Sequence, residues 1–232
     1  ELNPANKDAI LGLGIYNYAV DYVVDRYPFL KAVLFFFPKG NKELGLTQLR
    51  DCADNGKYSR TEATVTLAYI HLSYEKNYLE ALKYAQKLTA IYPGNPVFER
   101  FLGKCYVGLN NYNAGITLYG GMLAKADSNK PGYNNNYIRR EVNYYLGVCY
   151  SRTGNLDEAL KKYETAIEIC KITDKPGEES PYYVFSILGT GVIYEQKGNK
   201  PEAIKYYDMV LGMRDVENSK ETAQKFKDNA LK

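Results

Sequence analysis

The chain repeats itself, and that repetition limits its possible folds more than any other property. Leu146-Gly147-x2-Tyr150 is followed by Ala159-x3-Tyr163. An upstream copy, Leu102-Gly103-x2-Tyr106 with Gly115-x3-Tyr119, stands in the same register, as does a downstream one, Thr190-Gly191-x2-Tyr194 with Ala203-x3-Tyr207. A more degraded copy has Ala68-Tyr69-x2-Leu72, then Ala81-x3-Ala85 and a terminal Pro93; another begins at Leu13-Gly14, after a segment ending at Pro4. Self-similarity of this kind marks a stack of small units, none of which buries its apolar face alone.

Each unit reads as a helical hairpin. Leu146, Cys149 and Tyr150, then Leu156, Leu160, Tyr163 and Ile167, recur at helical spacing. Between the two helices, Gly154 suits the left-handed residue that ends a helix. Asn155 suits the cap of the next, and Glu158 three residues on predicts a reciprocal capping box. Asn77/Glu80 and Asn199/Glu202 repeat that spacing, with Pro201 placed for a first helical turn. Gly147, Ala159 and Ala166 fall where helices approach closely, and the large tyrosine rings are expected to fill the space around them.

The period is uneven. Tyr69 to Gly103 is 34 residues, but Gly103 to Gly147 and Gly147 to Gly191 are 44 each. The extra residues fall in ADSNKPGYNNNYIRRE and KITDKPGEESPYY, which share Lys-Pro-Gly, a turn signal. Lengthened helix ends followed by ordered loops are expected there. In the first unit, one helix runs from about Asp8 to Arg26 and its partner begins near Asn41, so PFLKAVLFFFP is an insertion between them.

These motifs resemble the tetratricopeptide repeat (TPR), whose pattern runs W-x2-L-G-x2-Y, A-x3-F and P over about 34 residues. The resemblance covers nearly the whole chain and implies an all-α fold: a right-handed α-solenoid of antiparallel helix-turn-helix repeats, about five pairs with a C-terminal capping helix. Residues 1–6 then end a preceding repeat, 7–58 form a divergent repeat with an insertion at 28–40, and repeats follow at 59–95, 96–139, 140–183 and 184–217. Residues 218–232 form the cap, and the whole is one array. A second, more diffuse likeness, in LGLGIYNY and KELGLTQLRDCADNGKYSRTEA, is to bacterial TPR proteins similar to the mitochondrial inclusion-body-clearance proteins. It implies an exported or cell-envelope location.

The resemblance also implies a function. TPR arrays hold partner segments on a concave face lined by the first helix of each pair. Projected onto this chain, that face contains Thr66 and Ile70, Arg100 and Lys104, Tyr144 and Val148, and Leu188 and Val192, with Arg139, Arg140 and Arg152 near its centre. The expected partner is a protein or peptide with apolar anchors and acidic groups. The carboxylate clamp of chaperone-binding members is not matched: the registers starting from Thr66/Ile70 and from Arg100/Lys104 meet Phe101, Glu141, Tyr145, Phe185 and Gly189 where Asn, Lys and Arg are needed.

Composition agrees with a binding module. A net charge of +3 is too small to point to nucleic acid. Cys52, Cys105, Cys149 and Cys170 show no metal-ligand spacing, and His71, the sole histidine, has no triad motif around it. His71, Cys105 and Cys149 share one repeat slot, which reads as inter-helix filling, because zinc ligands must converge within about 2.3 Å of the metal. Gly12-Leu13-Gly14 and Gly189-Thr190-Gly191 imitate a dinucleotide fingerprint but lack its third glycine. No enzyme, cofactor or metal is expected. Of 24 tyrosines, sixteen lie outside motif slots, as packing residues or as anchors for a partner.

The insertion allows three readings. Nine residues between Pro28 and Pro38, interrupted by Lys31, cannot span a membrane, which takes about 20 apolar residues. Phe35, Phe36 and Phe37 are expected first to pack against the array, second to meet another copy or a partner, third to touch a membrane surface. The last two make the alternative function: an assembly or membrane-peripheral module acting through residues 29–37, with homo-oligomers possible.

Overall fold

A computed structural model describes residues 6–231. Pro4 and the rest of the segment expected to end a preceding repeat lie outside the described residues, apart from Asn6. The described chain is all-helical: α1 (Ile10–Arg26), α2 (Leu30–Val33), α3 (Lys42–Asn55), α4 (Arg60–Tyr69), α5 (Tyr78–Ile91), α6 (Pro96–Gly108), α7 (Tyr112–Asp127), α8 (Asn136–Arg152), α9 (Leu156–Thr173), α10 (Pro181–Gln196), α11 (Lys200–Gly212) and α12 (Ser219–Ala230). It forms two compact units, Glu1–Cys105 and Tyr106–Lys232.

In the first unit α1 packs on α3, α3 on α4 and α4 on α5. Leu49, Cys52, Ala63 and Leu67 are fully buried between them, beside Tyr18 and Leu46. Gly14 and Gly45 set the α1–α3 distance: a Cβ on Gly45 would lie 2.5 Å from the Tyr18 backbone nitrogen and 2.7 Å from the Gly14 carbonyl oxygen. In the second unit each helix from α7 to α12 packs on the next, and α8 and α12 also touch α10. The ring of Tyr163 on α9 lies between Gly147 of α8 and Gly189 of α10, where added Cβ atoms would meet it at 2.6 Å. Tyr207 on α11 meets Gly191 at the same distance. The glycines and tyrosines of the repeat are therefore two halves of one contact, a missing side chain and the ring that occupies its space. α12 closes the second unit with Ala223 and Ala230 buried and Phe226 packed against Tyr207.

The hairpin turns share one design. Gly154 and Gly198 take φ of +82° and +78°. The next residue, Asn155 or Asn199, accepts a hydrogen bond on its side chain from the backbone of Glu158 or Glu202. The expected reciprocal bond from the glutamate is replaced by another. The cap residue's own N–H donates backwards, Asn155 to the Tyr150 carbonyl and Asn199 to the Tyr194 carbonyl, both at 2.9 Å. That bond closes the preceding helix, so the donor a capping box needs is already used. Glu80 and Glu202 instead pair with Lys83 and Lys205 one turn on.

Two turns place non-glycine residues in the left-handed slot: Lys76 (φ +52°) and Asn110 (φ +58°). Lys76→Gly is expected to stabilise the chain by about 1 kcal/mol and Gly154→Ala to destabilise it by about as much, with Asn110→Gly a smaller gain. Thermal denaturation of the three variants checks the order.

The long units are long for the reason read from sequence. α7 and α9 have 16 and 18 residues against 14 in α5 and 13 in α11, and each is followed by a Lys-Pro-Gly turn. Gly132 and Gly177 have φ of +84° and +81°, and the Tyr133 and Glu178 N–H groups bond back to the Lys130 and Lys175 carbonyls, as in a type II turn. Tyr133 is fully buried beneath Lys125 and Lys130, which lie 5.0 and 5.7 Å from its ring centre.

Candidate functional site on α8 and α10

α8 is capped by Asn135, whose side chain accepts from the Ile138 N–H at 2.9 Å, and is followed by the turn at Gly154. Its residues Arg140, Tyr144, Val148 and Arg152 are four apart, so they lie along one stripe. The opposite side of α8 carries Val142, Leu146 and Cys149, fully or almost fully buried. Tyr182, in the first turn of α10, reaches the stripe: its ring centre is 5.6 Å from Tyr144 and 6.3 Å from Tyr145. Tyr144 also contacts Tyr145 at 4.9 Å and Tyr163 at 6.3 Å, and Tyr145 stacks on buried Tyr119 at 5.3 Å.

The guanidinium of Arg140 lies 4.9 Å from the Tyr137 ring centre and 5.7 Å from that of Tyr182. It also bonds the Asp174 carboxylate and, at 3.0 Å, the Thr173 hydroxyl. Asp174 accepts from the Ser180 N–H at 2.9 Å as well, so one ion pair fixes the loop between α9 and α10 and the lower edge of the tyrosine cluster. Burial, with a smaller contribution from the charge of Glu217, pushes the Tyr144 hydroxyl up to about 12, so it stays a neutral donor at physiological pH. Tyr163 is raised further by burial.

The residues projected from sequence divide sharply. Tyr144, Val148 and Arg152 share the α8 stripe, with Arg152 exposed at its end. Leu188 does not join them. It is 7% exposed and belongs to the apolar cluster of Val216 and Ala223, because α12 covers that part of α10. In the first unit Ile70 is likewise buried, at 3% exposure, in the cluster of Tyr18 and Leu49. It opens a π-helical turn, Ile70–Tyr74, in which the Glu75 N–H bonds back to the Ile70 carbonyl at 3.0 Å. The Ile70 N–H still bonds to the Thr66 carbonyl, so Ile70 keeps the register of α4 and is buried because that side of the helix packs in this cluster, while Tyr69 and Tyr74 are exposed. Thr66 is half-buried, with its hydroxyl donating to the Glu62 carbonyl of its own helix. Arg100 and Lys104 are half-buried on α6, and neither is a free cation.

Tyr137 and Tyr182 were not among the projected residues. The signals for them are positional: Tyr137 lies one turn before Arg140, and Tyr182 opens the helix that follows a Lys-Pro-Gly loop.

The shared slot of His71, Cys105 and Cys149 is a packing slot. His71 stacks on Tyr84 with ring centres 5.8 Å apart, and burial lowers its pKa. The Cys149 sulfur fits against Gly115, where an added Cβ would lie 2.8 Å away. Burial pushes the Cys105 and Cys149 thiols up to about 12 and Cys170 to about 11, which keeps them protonated and unreactive.

The apolar insertion departs from its first expectation. Instead of packing on the array, Phe35, Phe36 and Phe37 are 79, 88 and 57% exposed. The short α2 touches α1 with Leu30 and Leu34 half-buried, and the three rings point away from that contact into solvent. Among the described residues no helix is long and apolar enough to cross a membrane.

Comparison with known proteins agrees with this architecture. Family models described as tetratricopeptide repeat match residues 102–174 and 139–215. No curated protein sequence matches the chain. Among solved structures, MamA (residues 41 to the end) from Desulfovibrio magneticus RS-1 is 15% identical with a TM-score of 0.57, over 82% of this chain and 94% of that one. YrrB, a TPR protein with an unusual peptide-binding site, is 18% identical with a TM-score of 0.54, over 93% and 97%. The apo form of RapI has a TM-score of 0.66 at 12% identity, over 94% of this chain and 60% of its own. Likeness at such identities is likeness of fold. With the repeat matched by family models across residues 102–215 and the glycine–tyrosine contacts built in consecutive helix pairs, this part of the chain carries tetratricopeptide repeats.

Proposed function

We propose that the chain is a non-enzymatic interaction scaffold and that the α8–α10 face receives a segment of a partner protein. The observation that carries this reading is the stripe Arg140, Tyr144, Val148, Arg152, extended sideways by Tyr137 and Tyr182. Rigid aromatic rings lose little freedom on binding and favour apolar or aromatic anchors. Arg140 already has Asp174 for a partner, so exposed Arg152 is the cation available to an acidic residue on the ligand. The expected ligand is a short segment with an apolar residue on the tyrosines and a carboxylate one helical turn or more away, toward Arg152. The peptide-binding site named for YrrB, on a similar fold, supports a peptide as the ligand class.

Selection from a displayed peptide library followed by titration tests this. Tyr137 is 62% exposed and Arg152 lies on the surface, so Tyr137→Ala and Arg152→Glu are expected to fold as the parent does. Each is expected to weaken the selected peptides by about tenfold or more. Equal affinity for parent and both variants would remove this face as the binding site.

A further inference from the structure

The tip between α1 and α3 is the most exposed apolar stretch of the first unit. From Arg26 to Lys42 the sequence reads RYPFLKAVLFFFPKGNK: apolar residues interleaved with four cations and no carboxylate. The nearest acids in sequence, Asp25 and Glu43, belong to the last turn of α1 and the first turn of α3. Phe29, Val33, Phe35, Phe36 and Phe37 are between 57 and 88% exposed, and Lys31 and Lys39 are exposed among them.

The tip is displayed from a firm base. Tyr16 donates to the Pro38 carbonyl at 2.6 Å, and Asp21 accepts from the Lys42 N–H at 2.7 Å. Gly40 presses on α1 so closely that a Cβ there would lie 2.6 Å from the Asp21 nitrogen. Lys42 itself is paired with Glu75 at 2.7 Å. The rings therefore project outward from an anchored neck, which a collapsing loop would not do.

We infer that this tip docks on the surface of an anionic lipid bilayer, with Phe35 and Phe36 entering the headgroup boundary and Lys31 and Lys39 meeting lipid phosphates. Charge selects this occupant over a second copy. Two such tips face to face would bring the exposed Lys31 and Lys39 of each together with no carboxylate in either segment to answer them, whereas an anionic surface answers both at once. Apolar area and basic side chains act together in interfacial binding, each too weak alone, and the basic share is screened by salt.

Sedimentation of the full 232-residue chain with vesicles tests it. Vesicles of phosphatidylcholine alone are compared with equal parts phosphatidylcholine and phosphatidylglycerol, at low and high salt. The expected result is retention by the anionic vesicles, lost at high salt, with about tenfold or greater weakening in Phe35→Asp/Phe36→Asp and in Lys31→Glu/Lys39→Glu. Both pairs are solvent-exposed, and circular dichroism confirms that the variants fold. No retention by anionic vesicles, equal retention by neutral ones, or undiminished retention of the Phe35→Asp/Phe36→Asp variant overturns the inference. So does a dimer in light scattering that this variant alone dissociates, since that outcome assigns the tip to a second copy. The peptide titration at Tyr137 and Arg152 reads a different surface, so either result can fail while the other stands.

Discussion

Gly45→Ala is expected to destabilise the first unit by about 3 kcal/mol or more, although alanine is the better helix former by about 1 kcal/mol. The added methyl would lie 2.5 Å from the Tyr18 nitrogen and 2.7 Å from the Gly14 carbonyl oxygen, and both are backbone atoms in the middle of a neighbouring helix. A side chain can rotate away from such an intrusion, whereas α1 would have to move as a whole. Moving it would disturb Tyr18, whose ring is buried and whose hydroxyl donates to Glu75 at 2.6 Å. Gly147→Ala is expected to cost less, because the atoms it meets are those of the Tyr163 ring. The internal control lies in α7. Gly120 and Gly121 have nothing within 4 Å of an added Cβ, so alanine at either is expected to stabilise by about 0.5–1 kcal/mol. Urea denaturation of the four single variants reads the order directly. Were Gly45→Ala as stable as the parent, close glycine packing would not be what sets the α1–α3 distance.

Arg140→Ala is expected to cost about 3–5 kcal/mol, the usual consequence of leaving a buried charge without its counterion. The side chains of Arg140 and Asp174 are 14 and 6% exposed, and Asp174 also holds the Ser180 N–H that begins α10. Removing the guanidinium strands that carboxylate and takes the flat cation away from the Tyr137 and Tyr182 rings. Arg140→Lys keeps the charge but neither the fork nor the stacking surface, so it is expected to recover only part of the loss. The double variant Arg140→Leu/Asp174→Leu is expected to be more stable than Arg140→Ala, since it leaves no orphaned charge. Limited proteolysis adds a local reading, with cleavage in residues 174–180 rising in Arg140→Ala before global unfolding. Uniform stability across these variants would show that the pair does not hold the loop.

Much of the molecule was legible because its rules are local. Gly154 followed by Asn155 announces a left-handed stop and a cap within a few residues, and the backbone adopts both. Lys-Pro-Gly sets its own turn at Gly132 and Gly177. The motif glycine and the tyrosine of the Ala-x3-Tyr that follows announce a gap and its filler, which become Gly147 with Tyr163 and Gly191 with Tyr207. The candidate face was half legible. Tyr144, Val148 and Arg152 follow from helical spacing along α8, but Ile70 and Leu188 were placed by the same arithmetic and are buried. The cluster of Tyr18 and Leu49 buries the first, and α12 covers the second. Neither event is written in the few residues around them.

By itself the sequence determined the helices, their turns and the repeated contact between a small residue and a ring, because each depends on neighbours within one hairpin. Tertiary structure alone decided that Arg140 pairs with an aspartate 34 residues away, that Tyr182 completes the tyrosine cluster, and that the phenylalanines at 35–37 face outward. The physical reason is the same in all three. Burial, charge pairing and exposure belong to atoms that meet in space, and a run of apolar or charged letters does not say whether another helix arrives to cover it.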